Sequence, residues 1–229
     1  MTVPSSRKPD GAWKYAEYLR ELVLDAEGPR PDDAGKRRRK SPSDARAELA
    51  ALRRGLGRAP GEVAGVAQYV IPHVPDCPGT TAVVEAAYFL VGPLFAGHRG
   101  SWTPSEHRGH ANLGVSFRWL AEPDGPDKNE AVKARFVALL NADAEELDRY
   151  LRHAISLLKA KEVNVDWAQL IRDVQHWDDE TRDVQLRWAR AFWRGSRAAT
   201  DDSSAADAST VADADAAGEL PSDASVSTA

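Results

Sequence analysis

Apolar side chains along this chain recur at three- and four-residue intervals, the spacing that lines one side of an α-helix, and strand-like alternation is weak. The pattern predicts an all-α protein of about eight or nine helices. Asp10 is placed to cap a first helix whose apolar side is Trp13, Tyr15, Ala16, Leu19, Leu22 and Val23. The loop EGPRPDDAGKRRRKSP follows. Ser43 is the expected cap of a second helix, with Ala45, Leu49, Leu52 and Leu56 on one face and Gly55 and Gly57 at its end. GEVAGVAQYVIP predicts a third, short helix stopped by Pro72. The most apolar segment, TTAVVEAAYFLVGPLF from Thr80 to Phe95, reads as a core helix bent at Gly92-Pro93. After the polar loop AGHRGSWTPSEHRGH, NLGVSFRWLA forms a short helix ended by EPDGPD.

The last third has four clear stripes. Val132, Phe136, Leu139 and Leu140 form the first; Leu147, Leu151, Ala154 and Leu158 the second. Trp167, Leu170, Ile171, Val174 and Trp177 form the third, and Val184, Trp188, Ala191 and Phe192 the fourth. Four amphipathic helices with short connections imply a bundle. The expected organisation is an N-terminal helical lobe over 1–125, a C-terminal bundle lobe over 126–198 and an acidic tail over 199–229, the lobes meeting near Glu122 to Asp127.

Charge alters this picture, because it is unevenly spread. The formal net charge is -5, yet no Lys or Arg follows Arg197, whereas Asp201, Asp202, Asp207, Asp213, Asp215, Glu219 and Asp223 do. Without those seven acids, 30 basic residues face 28 acidic ones, so the body is slightly basic. The tail is Ala/Ser/Asp/Thr-rich with almost no large apolar residue, so disorder is expected there. With 229 residues and 42% hydrophobic content the rest is able to bury a core. One cysteine, Cys77, excludes an internal disulfide framework, and no leader-like or membrane-spanning run is evident, so a cytoplasmic protein is expected.

Catalytic fingerprints are missing: there is no GxSxG, GxxxxGK[ST], HExxH or CxxC, and GLGRAPG lacks the GxGxxG spacing. His98, His107 and His110 with Glu106 share one glycine-loosened loop. Three imidazoles in principle ligate zinc, but phosphate or partner contact and simple solvation compete with that reading. His73 and Cys77 are too few for a metal site, and Asp178 to Glu180 sit where a helix N-terminus favours negative charge. No metal or cofactor is expected.

Basic residues carry the stronger signal. Arg53, Arg54 and Arg58 lie on and just after the second helix in LAALRRGLGR, with no acid between Leu49 and Arg58. Arg149, Arg152, His153 and Lys159 fall opposite the Leu147/Leu151/Leu158 stripe. Arg187, Arg190, Arg194 and Arg197 recur along one side of the last helix, where they also complement the helix dipole. KRRRK, Lys36 to Lys40, is a basic run in a loop. Guanidinium offers phosphate a planar bidentate fork, and 22 of the 30 basic residues are Arg.

The ordered segments LAALRRGLGRAPGEV, AAYFLVGPLFAGHR, NLGVSFRWLA and RFVALLNADAEELDRYLRHAISLLKAKEVNVDWAQLIRDVQHW together resemble the CasB family, the small subunit of the type I-E CRISPR surveillance complex, Cascade. The resemblance runs from about Trp13 to Arg194. It implies an all-helical two-lobed protein without catalytic activity that sits with other Cascade subunits and a second copy of itself. Such a protein helps to hold the guide RNA and target DNA and steadies the displaced strand of the R-loop. Residue by residue it implies backbone contacts at Arg53, Arg54, His98, Arg99, Arg108, Arg118, Lys133, Arg135, Arg149 and Arg152, and Arg58 joins them as a candidate on its place in the same arginine cluster. KRRRK and the acidic tail lie outside the family pattern. Where base pairing reads the sequence, a protein along the heteroduplex needs only cations that follow phosphates. The other readings left open by the residues alone are a helical protein–protein adaptor whose arginines are spent on Asp/Glu pairs and a metal-dependent hydrolase using the His98/His107/His110 loop.

Overall fold

The computed structural model describes residues 10–28, 40–76, 81–98, 112–121 and 129–194. All regular elements among them are helices: α1 (Gly11–Glu27), α2 (Pro42–Arg53), α3 (Ala64–Val70), α4 (Ala82–His98), α5 (Leu113–Ala121), α6 (Glu130–Leu140), α7 (Leu147–Ala160), α8 (Trp167–Gln175) and α9 (183–194). A 3-10 turn, Ile71–His73, ends α3 and contains Pro72.

Caps set most helix starts. The Asp10 carboxylate accepts the Trp13 N–H at 2.9 Å, as the sequence predicts. In α2 the cap is Ser41 rather than Ser43: its hydroxyl accepts the Asp44 N–H, and Pro42 fills the first helical position, where a missing N–H costs nothing. Asn129 and Asp166 cap α6 and α8 in the same way. At the end of α7, Glu162 takes a left-handed φ of 55°, Val163 N–H donates to Leu158 O and Glu162 N–H to Lys159 O. That paired pattern is a Schellman stop, here formed without glycine.

The apolar helix α4 is the hub, packing against α1, α2, α3, α7 and α8. Nearly every residue from Ala87 to His98 is buried on it, so its lack of amphipathicity is explained by neighbours on several sides. The α1 stripe lands as expected on Tyr15, Ala16, Leu19 and Leu22, but Trp13 faces outward and is 38% exposed. Its N–H is the group that the Asp10 carboxylate caps, and the inner position of that first turn is taken by Ala12. One continuous apolar cluster joins α1 to α9, including Phe117, Phe136, Trp167, Trp188 and Phe192. The expected boundary at 122–127 and the acidic tail lie outside the described residues.

Side-chain bonds of long sequence separation close the packing. Arg172 grips Asp10 with Nε and Nη2 at 2.7 and 3.0 Å, tying α8 to the start of α1. The buried Asp173 accepts from Gln169 at 2.8 Å, Arg187 at 3.0 Å and Trp188 Nε1 at 2.6 Å, tying α8 to α9. The α5 and α9 backbones touch at Gly114, where a Cβ would lie 2.8 Å from the Trp188 carbonyl carbon.

Candidate nucleic-acid interface

The turn after α2 explains why two glycines sit among three arginines. Arg54 ends the helix, and its N–H bonds back to Ala51 and Leu52. Gly55 lies tight on Pro93 of α4, where a Cβ would be 3.0 Å from the proline ring. Gly57 has φ +72°, and the Arg152 guanidinium lies where its side chain would be, with Nη1 2.8 Å from a Cβ built there. The absent side chain lets α7 bring its guanidinium against the α2–α3 turn.

Arg152 of α7 therefore meets the turn that carries Arg58, one residue past Gly57; Arg53 and Arg54 lie one turn earlier at the end of α2, and Arg149 one turn before Arg152 on α7. Arg54, Arg58 and Arg149 are exposed. Arg53 is half-buried and donates to Leu49 O at 3.2 Å. Arg152 pairs with Asp148 at 3.2 Å and Arg149 with Glu146 at 2.8 Å, both within one turn of α7, and Arg149 also lies over the Tyr150 ring at 4.9 Å. No carboxylate among the described residues pairs with Arg54 or Arg58. A cleft of about 290 Å³ opens beside Arg58, floored by Leu56, Phe89 and Leu90 with Asp148 on its rim.

A second group sits on α6, which packs on α7. Lys133 pairs with Glu130 at 3.3 Å, and Arg135 donates to Ala131 O at 3.2 Å, both local to the helix. Arg118 is half-buried on α5. Arg99 and Arg108 lie outside the described residues, as do His107, His110, Glu106, Cys77 and residues 36–39.

Three expectations change. His98 is not an outward cation: it is 3% exposed, packed edge-on against Trp167 with ring centroids 5.5 Å apart. Burial, then the neighbouring Lys159 ammonium, push its pKa down to about 4 against the pull of the Val163 backbone, so the ring is neutral at pH 7. Lys40, the last residue of KRRRK, is anchored: its ammonium meets Glu48 and the Tyr18 hydroxyl, and its N–H donates to Asp25 at 3.1 Å. Arg187 of the last-helix stripe is tied to Asp173, while Arg190 and Arg194 are exposed and Arg197 lies outside the described residues. Among the described residues, no group of three His, Cys, Asp or Glu could hold a metal, and no helix is long and apolar enough to cross a membrane.

What sequence spacing missed are the acceptors. Glu48 and Asp173 border the apolar stripes of α2 and α8, and each is buried with a partner from elsewhere in the chain that spacing along its own helix does not announce. Gly57 was legible only as a helix end, not as the seat of Arg152.

A family model described as CRISPR-associated protein Cse2 matches residues 48–193, from within α2 to near the end of α9. The chain belongs to the Cse2 family. The Cse2 protein of Thermus thermophilus is 31% identical over 147 residues, 64% of this chain and 79% of that one. The crystal structure of CasB from M. ruber superposes with a TM-score of 0.61 at 26% identity, over 90% of this chain and 99% of that chain. A chain of a CRISPR RNA-guided surveillance complex in a pre-nicking state shares the fold, with a TM-score of 0.64 at 24% identity over 84% and 97%. The Cse2 match spans both cation groups, whereas the basic run and the acidic residues after Arg197 fall outside it.

Proposed function

We propose that this chain is the non-catalytic small subunit of an RNA-guided CRISPR surveillance complex, and that its surface cations hold nucleic-acid backbone so as to stabilise the R-loop and its displaced strand. The observation that carries the reading is the seam where Gly57 admits Arg152 beside Arg58 and Arg54. It supports backbone contact because Arg54, Arg58 and Arg149 are exposed, Arg152 is half-buried, and the pairs that hold Arg149 and Arg152 lie one helical turn away. Such pairs contribute about 0.3–0.5 kcal/mol, so exchanging one for a phosphate gives up little. A similar fold in a surveillance complex supplies the setting. Other subunits, guide RNA, target DNA and a second copy of the chain are the partners this reading requires. Lys133, Arg135 and Arg118, with Arg99 and Arg108, extend the contact beyond the seam.

The test is a salt series. For single strands, log K falls with log[salt] by about 0.7 per phosphate neutralised. Arg54→Ala with Arg58→Ala is expected to weaken binding to a displaced-strand oligonucleotide and flatten that slope by about 1.4. The same double variant should lower R-loop lifetime in the assembled complex. Unchanged slope and lifetime would reduce the chain to a protein–protein adaptor.

A further inference from the structure

The last helix delivers the chain to a basic place. Phe192 and Trp193 pack on Phe136 of α6, with ring centroids 4.5 and 5.8 Å apart. Lys133 is one turn before Phe136 and Arg135 adjoins it; Arg190 and Arg194 are one turn apart on α9 itself. Each of these four cations lies within three residues, on its own helix, of a ring in the α6–α9 contact near which the described residues end. Among the described residues, Lys133 pairs with Glu130, whose side chain is 74% exposed, Arg135 donates within its own helix, and no carboxylate pairs with Arg190 or Arg194. Directly beyond come seven carboxylates and, after Arg197, no basic residue.

We propose that residues 201–223 dock in cis on the cations of α6 and α9, where they compete with nucleic-acid phosphates. The competition rests on the proposed function above; the docking rests on charge and chain length. Asp201 is seven residues past Arg194, at most about 25 Å away along the chain, and Asp223 at most about 100 Å, so every acid can reach the four cations. Screening at 0.1 M salt leaves only contacts within about 10 Å effective, which the short leash to Asp201 provides. Tethering raises the local concentration of the segment to about millimolar. Carboxylates bind guanidinium through the same two-pronged geometry as phosphate, so they shield these groups from stray nucleic acid. A strand held in place by a guide-bearing assembly is also tethered, and it carries one charge on every nucleotide, so it displaces the acids. The segment thereby restricts an otherwise slightly basic body to nucleic acid presented by its partners.

The experiment compares three proteins: the full chain, the chain ended after Arg197, and the full chain with the six Asp changed to Asn and Glu219→Gln. The probe is fluorescent oligo-dT, read by anisotropy from 50 to 300 mM salt. Both altered proteins should bind about tenfold tighter than the full chain at 50 mM, and the gap should close as salt rises. A synthetic peptide of residues 198–229 should restore the weaker binding of the shortened protein, and the Asn/Gln peptide should not. Adding Lys133→Ala, Arg190→Ala and Arg194→Ala should cut the gain from shortening to under twofold. Equal affinities of all three proteins, within twofold at every salt, would overturn the docking while leaving the nucleic-acid reading intact. No binding by any of them at 50 mM would overturn both.

Discussion

Replacing His98 by Gln removes one proton site from the core without changing the charge of the native protein at pH 7. The folded imidazole titrates at about 4, whereas in the unfolded chain it returns to its ordinary value of 6.5. Between those values the unfolded state binds more protons than the native state, so stability rises with pH across the window 4–6.5 and falls as the pH drops through it. Above 6.5 both states are neutral there and the group contributes no slope. At pH 5 the linkage amounts to about 2 kcal/mol lost relative to pH 8, taking 1.36 kcal/mol per unit.

The assay is urea unfolding of wild type and His98→Gln at pH 8 and pH 5. The informative quantity is the difference between the two pH values within each protein, which cancels any packing defect of the glutamine. The wild-type difference should exceed that of the variant by about 2 kcal/mol, or about 4–8 °C if read as a melting temperature. His153 and His176 are common to both proteins and drop out of the comparison. Equal pH differences would mean that the ring is solvated in the native state, and would return His98 to the outward cations.

Gly114→Ala should destabilise by roughly 2–4 kcal/mol, since the new methyl meets the Trp188 backbone, at 2.8 and 2.9 Å from its carbonyl carbon and Cα, and backbone cannot rotate away. Gly65→Ala, with open space around it in α3, should be neutral or stabilise by up to ~1 kcal/mol; thermal melts of the pair separate steric conflict from mere loss of glycine. Asp173→Ala strands the Trp188 and Gln169 donors and should cost about 2–4 kcal/mol, while Arg187→Ala leaves the carboxylate two of its three donors and should cost about 1 kcal/mol in the same denaturation assay.

Periodicity locates the helices because most of them bury one stripe: that of α7 comes out residue for residue on Leu147, Leu151, Ala154 and Leu158, and that of α8 on Trp167, Leu170 and Ile171, with Val174 only half-buried and Trp177 buried just past the helix end. It misplaces Trp13 for a physical reason: at the first turn of a helix the face is set by the angle of entry, and Ala12 takes the inner position. Ser43 and Ser41 are both good caps by residue type, and only Pro42, which suits the first helical position, separates them in favour of Ser41. The cations are legible as surface positions, but their partners are not. Glu48 meets Lys40 and Tyr18, and Asp10 meets Arg172 across 162 residues, contacts that no local spacing encodes. His98 escapes sequence reasoning on the same ground, since nothing near it along the chain announces Trp167.

The distance along the chain to a cation's partner divides the basic residues into two kinds. Arg172 with Asp10, Arg187 with Asp173, Arg46 with Ala26 O, Arg182 with Leu140 O and Lys159 with Gly97 O each join separate elements, and losing one leaves a polar group without its mate in the fold. Arg149, Arg152, Lys133 and Arg135 instead reach only three or four residues back, and Arg54 and Arg58 have no carboxylate to reach among the described residues. Exchanging a local partner for an outside anion gives up little, because helix-surface pairs are weak and both ends remain wet. The first kind is thus committed to the fold and the second is left available; of the second kind, Arg152 lies where Gly57 makes room for it, and Arg58 adjoins that glycine. Under the proposed function this availability is the useful property, because other chains and a guide would decide where the phosphates lie and the local pairs would yield to the backbone laid across them.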